Sequence, residues 1–127
     1  MSYLLDTHAL IWYFEDSKDI PAKITNIIDN PTNHKFISVV SLWEIAIKSN
    51  IGKLNMQLPL DEFLDVIASS ELTILPINSE YLKGLLKLPS IHKDPFDRLI
   101  VSTALIEDLT LITIDENIQK YNVSWIW

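Results

Sequence analysis

The sequence of 127 residues contains no cysteine. That excludes disulfide scaffolds, thiol catalysis and cysteine-ligated zinc. It has two glycines, Gly52 and Gly84, too few to write either GxGxxG or GxxxxGK followed by Ser or Thr, so a glycine-rich phosphate loop is excluded as well. Basic residues are scarce: 10 Lys+Arg stand against 17 Asp+Glu, a formal charge of -7. A plain electrostatic nucleic-acid binder carries a basic footprint instead. No apolar run approaches the ~20 residues that span a bilayer. The N-terminus, Met1-Ser-Tyr-Leu-Leu-Asp6, reaches a carboxylate too soon for a secretory signal and has no basic start. The expectation is a soluble, cytoplasmic protein with no membrane partner. Linkers, repeats and low-complexity stretches are also missing.

What is present is apolar and ordered. Hydrophobic residues make up 48% and charged residues 21%, too apolar and too weakly charged for a disordered chain. The length suggests one domain over residues 1–127, able to bury roughly two-thirds of its unfolded surface. Short apolar runs alternate with segments of helical period, the pattern of an α/β domain with a mostly parallel sheet of four or five strands. The runs Tyr3–Leu5, Lys35–Val40, Leu72–Leu75 and Leu109–Ile114 read as strands, with Val123–Ile126 as a short fifth. Helices are expected around Leu10–Phe14, over Pro21–Asn30, over Ser41–Ile51 ending at Gly52, from Pro59 or Leu60 to Ser69, over Ser79–Leu88 and over Asp94–Glu107.

Four carboxylates recur where strands end and helices begin. Asp6 closes the first strand and Asp115 the fourth. Glu44 and Asp97 lie in the first turns of the helices starting at Ser41 and Asp94. In an open parallel sheet these places share one edge, where ligands bind. Each acid also has a plainer reading. Ser41-Leu-Trp-Glu44 reads as a capping box, Asp94-Pro-Phe-Asp97 as an N-cap with Pro at N1, and Asp6 and Asp115 as N-caps. Yet Ser, Thr or Asn cap as well as acids do. Carboxylates grouped at an apolar edge repel and lose hydration, so a cation must compensate or some must protonate. Without cysteine and with three histidines, the donors are hard oxygens, suited to Mg²⁺ or Mn²⁺. Such ions characteristically serve phosphate chemistry.

Four segments carry a resemblance. Leu4-Leu-Asp6-Thr7-His-Ala-Leu-Ile-Trp12 resembles the opening of the PIN-domain ribonuclease toxins of the VapC type. Ser38-Val-Val-Ser-Leu-Trp-Glu44-Ile-Ala-Ile-Lys48 resembles their second acidic motif. His92-Lys93-Asp94-Pro-Phe-Asp97-Arg98-Leu-Ile100 resembles the third and Leu111-Ile-Thr113-Ile-Asp115 the fourth. The motifs fall in the family's order over nearly the whole chain. The resemblance implies a three-layer α/β/α fold and a Mg²⁺- or Mn²⁺-dependent endoribonuclease in which metal-activated water attacks the phosphodiester. It also implies a toxin of a type II toxin–antitoxin system, a homodimer, a cognate VapB-type antitoxin and an RNA substrate, whether tRNA, mRNA or rRNA.

Carried over position by position, the metal and catalytic residues are Asp6, Glu44, Asp97 and Asp115. Asp97 is preferred to Asp94, which is the better cap and is kept as auxiliary. Ile114 stands where many relatives have a basic or polar residue, and Glu116, directly after Asp115, offers an alternative acid. Thr7 and Thr113 are hydroxyls beside the acids. Arg98, Lys48, His92 and Lys93 are expected to contact RNA. Trp12, Phe14 and Trp43 read either as base-stacking or as core residues, and Leu42 and Ile45 suit a partner surface if exposed. Two rivals bind Mg²⁺ in a similar fold. A receiver domain needs paired acids after its first strand and a phospho-accepting Asp at its third, where this chain has Leu75-Pro76. A haloacid-dehalogenase-like phosphatase needs an acid at position 8, where His8 stands. A catalytically inactive PIN scaffold is the third alternative.

Overall fold

The computed structural model describes residues 1–127. In chain order its elements are β1 (Ser2–Leu5), α1 (Thr7–Phe14), α2 (Ala22–Asp29), β2 (His34–Ser38), α3 (Val39–Asn50), α4 (Leu60–Ala68), β3 (Thr73–Leu75), α5 (Ser79–Leu86), α6 (Pro95–Glu107), β4 (Thr110–Ile112), α7 (Glu116–Gln119) and β5 (Trp125–Ile126). The strands form one sheet in the order β3-β2-β1-β4-β5, every pair parallel. No helix is long and apolar enough to cross a membrane.

Both faces of the sheet are covered, which is why β1 reads as an unbroken apolar run rather than an alternating one. Leu5 points to the face covered by α1, α2 and α4, where Leu10, Ile24, Ile28, Phe63 and Ile67 pack with Ile37 and Ile112. Leu4 points to the other face, against Leu99, Ile100 and Ala104 of α6, Tyr81 of α5 and Leu111. The result is a three-layer α/β/α sandwich. Burying one such leucine fully contributes about 1.5–3 kcal/mol, and Leu4, Leu5, Leu10 and Leu111 are all fully buried.

One glycine is required by packing. A Cβ on Gly84 would come within 2.5 Å of the Ser102 Oγ, itself buried and bonded to the Tyr81 carbonyl, so α5 approaches α6 only because residue 84 has no side chain. Gly52, just past α3, has φ of +74°, the left-handed conformation that ends a helix there.

Several boundaries differ from the sequence reading by one to three residues, and three of them bear on the site. Strand β2 stops at Ser38, not Val40, because the Ser38 hydroxyl accepts the Val40 N–H and caps α3. Helix α3 therefore starts at Val39, two residues earlier than expected, and the Ser41–Glu44 capping box does not form. Strand β4 ends at Ile112, where the Thr113 hydroxyl takes the Asp115 N–H and turns the chain. The turn leads into α7, capped by Asp115 through the N–H groups of Asn117 and Ile118.

The register sets up the site. Leu5 is flanked by Ile37 on β2 and Ile112 on β4. The next residues, Asp6, Ser38 and Thr113, thus leave the three central strands at the same edge. The strand order reverses about β1, the switch point at which such sheets open a crevice.

Candidate active site

Each sequence-derived acid reaches this edge by its own local logic. Asp6 N-caps α1, accepting the Ala9 N–H at 2.9 Å, and is 3% exposed. Asp94 N-caps α6, accepting the Asp97 N–H at 3.0 Å, with Pro95 beginning the helix. Asp97 lies one turn inside α6 and Asp115 caps α7. Glu44 has no capping role. It is a buried acid in the second turn of α3, and its Oε1 accepts the Thr7 hydroxyl at 2.6 Å. Ser41, fully buried, lies 3.0 Å from the same Thr7 oxygen. Thr7 has one proton, and a carboxylate can only accept. The proton therefore goes to Glu44, and Ser41 donates to Thr7.

The electrostatics show which acids share the cleft. Burial raises the Asp6 carboxyl to about 6, against the lowering influence of Thr113, the Ala9 N–H and His8, and the Asp115 charge adds to the rise. Burial raises Asp97 to about 7, assisted by the charges of Asp94, Asp115 and Glu44 and opposed by a hydrogen bond from His92. Asp115, rather than Glu116, is thus the neighbour whose charge is felt at both buried aspartates, and Glu116 is exposed. The one cation among them is Lys48, which forms an ion pair with Glu44 Oε2. Burial pulls the Lys48 ammonium down, but Glu44, joined by Asp94 and Asp97, more than reverses this and leaves it above its ordinary value.

Five carboxylates with a single ammonium among them suit a divalent ion. Every donor is an oxygen, the charge is uncompensated, and Lys48 marks where a cation is held. No three His, Asp or Glu side chains converge closely enough in this structure to enclose an ion. Asp6, Glu44, Asp97 and Asp115 are the residues that could hold one if their side chains drew together.

The remaining expected residues divide. His92 lies in the site: its Nε2 is 3.2 Å from Asp97 Oδ2 and its Nδ1 is 2.8 Å from the Tyr121 hydroxyl. Arg98 is tied into the fold, its Nη1 donating to the Pro89 carbonyl, the His92 carbonyl and Tyr121. Lys93 is exposed beside His92. Trp12 packs edge-on against Trp127 and Phe14 against Phe63, so both belong to the body of the fold. Trp43 is 56% exposed and meets the Phe96 edge. Ile45 is fully buried and can face no partner, whereas Leu42 is half-buried. Tyr121 was not anticipated. It lies 29 residues from His92 in the chain, and nothing in its neighbourhood marks it as more than a core aromatic.

Residues 3–123 match the model of the PIN domain family. The chain is 24% identical over 119 residues to the ribonuclease VapC22 of Mycobacterium tuberculosis, covering 93% of this chain and 90% of that one. Among solved structures it superposes on a chain of the VapBC2 complex of Rickettsia felis bound to a promoter DNA fragment, with a TM-score of 0.75, 20% identity and coverage of 99% and 98%. A DNA-bound VapBC complex from Salmonella typhimurium gives a TM-score of 0.69 at 16% identity, with coverage of 99% and 97%. At these identities the two structural likenesses establish a shared fold.

Proposed function

Because the chain belongs to the PIN domain family, we propose that it is a Mg²⁺- or Mn²⁺-dependent endoribonuclease, the VapC-type toxin of a type II toxin–antitoxin system, acting in the cytoplasm. The observation that carries this reading is the gathering of four motif acids, scattered from position 6 to 115, at one sheet edge with their charge under-compensated. Helix capping accounts for Asp6, Asp94 and Asp115 but not for Glu44 or Asp97. The ribonuclease relative and the antitoxin complexes among the similar structures support the same reading.

Asp6, Glu44, Asp97 and Asp115 would hold a divalent ion, which would supply Lewis-acid chemistry for the scissile phosphate and for an attacking water. The protein's part is to hold these oxygens ready. Thr7 and Ser41 orient Glu44 by successive hydroxyl hydrogen bonds, the α1 terminus orients Asp6, and His92 orients Asp97. Lys48 pairs with the Glu44 charge and is a cation this edge can offer an RNA phosphate. Lys93, beside the cleft, is exposed for the same purpose. The partners proposed with this reading are an RNA substrate, a VapB-type antitoxin and a second copy of the chain. A receiver-like function is disfavoured by the third strand in sequence: β3 is an edge strand followed by Pro76, with no phospho-accepting acid.

The test is cleavage of single-stranded RNA by the purified protein with Mg²⁺ or Mn²⁺ and with excess chelator. Metal-dependent cleavage leaving 5′-phosphate ends is expected. Cleavage that survives chelation overturns the reading.

A further inference from the structure

The four-residue chain Arg98–Tyr121–His92–Asp97 has a direction. Arg98 Nη1 lies 3.0 Å from the Tyr121 oxygen, and a guanidinium only donates. The Tyr121 oxygen therefore accepts there, and because the residue is buried and His92 Nδ1 at 2.8 Å is the only acceptor its proton can reach, the proton goes to that nitrogen rather than being left unpaired. An Nδ1 that accepts places the ring proton on Nε2, which faces Asp97 Oδ2 at 3.2 Å. Arg98 is itself anchored on the Pro89 and His92 carbonyls at 2.8 and 3.4 Å. Tyr121 is 3% exposed, and its ring meets His92 edge-on with centroids 5.5 Å apart. Arg98 and Tyr121 are thus both held in place.

We propose that Tyr121 is a positioning residue for Asp97: acting through His92, it fixes the Nε2–H tautomer so that a donor always faces Asp97 Oδ2, leaving Oδ1 for the cation. Without the phenol proton, the neutral ring is free to protonate Nδ1. Its Nε2 lone pair would then face a carboxylate oxygen, and the Asp97 side chain would lose its orientation. A partner that orients a ligand typically contributes 10–100-fold to metal affinity. Asp97 as a ligand rests on the proposed function; the tautomer rests on the hydrogen bonds alone.

The experiment uses the full chain and Mn²⁺ as probe. Imidazole ¹⁵N shifts at pH 8 without metal are expected to show His92 as the Nε2–H tautomer in the wild type and as a mixture in Tyr121→Phe. Calorimetric Mn²⁺ titration is expected to show about tenfold weaker binding in Tyr121→Phe. In a His92→Gln background, whose amide donates without regard to tautomer, Tyr121→Phe is expected to change nothing further. A wild-type His92 found as the Nδ1–H form or as the imidazolium overturns the proposal. So does wild-type Mn²⁺ affinity in Tyr121→Phe, or an equal loss in both backgrounds, which is the mark of a merely structural tyrosine. Undiminished Mn²⁺ binding by Asp97→Asn, by contrast, overturns the assignment of Asp97 as ligand and leaves the tautomer to be judged by the shifts.

Discussion

The two edges of the sheet treat buried charge in opposite ways. At the N-terminal edge Lys35 is 5% exposed, but its ammonium donates to the Asn30 carbonyl at 3.1 Å and lies 3.7 Å from Glu71. Nearby, the Tyr13 hydroxyl donates to Asp29, and burial together with that carboxylate pushes the phenol up to about 12. Each charge there has met a partner. At the C-terminal edge five carboxylates share one lysine, and two of them are raised to about 6 and about 7. The same backbone supports both edges, so the difference lies in the side chains. A compensated edge holds the fold together. An under-compensated one lowers stability, which the proposed function would offset when a cation binds.

That contrast can be broken from either side. The largest effect is expected at the acidic edge: Glu44→Gln or Asp6→Asn should lower RNA cleavage by more than about 100-fold, beyond the usual effect of losing an orienting partner, with the circular dichroism unchanged. Cleavage rates within tenfold of wild type would remove those acids from the chemistry.

The second effect is on stability and has the opposite sign. Folded Asp6 and Asp97 bind protons more tightly than they do unfolded. Their stabilising contribution is complete below the ordinary value of 3.8 and is lost as pH rises through about 6 and about 7. The metal-free protein should therefore lose stability between about pH 4 and pH 7. Asn caps a helix as well as Asp does, so Asp6→Asn should stabilise the metal-free protein at pH 8 by on the order of 1–3 kcal/mol, a Tm rise of several degrees that disappears at pH 4. A variant that inactivates and destabilises at pH 8 would contradict the picture of an edge under electrostatic strain.

At the other edge the expectation is reversed. Lys35→Met keeps the packed stem and removes one of the two donors to the Asn30 carbonyl, the Asn33 N–H remaining, so it should cost about 0.5–1.5 kcal/mol in denaturant unfolding, while cleavage per folded molecule stays at the wild-type value. The smallest effect is at the one cation of the acidic edge. Lys48→Met removes the competitor for Glu44 and should tighten Mn²⁺ binding several-fold by calorimetry. Weaker binding would mean that Lys48 supports the ion's site instead of occupying it.

Much of this was legible because caps and buried strands have local signatures. Asp6, Asp94 and Asp115 each follow an apolar run or precede a proline, and each caps the helix expected of it. Gly52 ends α3 for a reason visible in one residue. The helix start at Ser38 was not legible, since Ser38 and Ser41 carry the same local signal and lie three apart. The choice between them is made by Val40, which packs into the core on the α5–α6 side, and by Thr7, 37 positions from Glu44, which claims that carboxylate.

By itself the sequence determined the class of fold, the order of its elements, the positions of the acids and the oxygen-only chemistry they offer, because periodicity, capping and composition act over a few residues. Only the tertiary structure decided that Glu44 is a buried acceptor and not a capping residue, that Arg98 is bonded to Tyr121 and that Tyr121 stands behind His92. Those assignments depend on which groups the parallel sheet brings to one edge. Partners 23 to 37 residues apart leave no local trace in the chain.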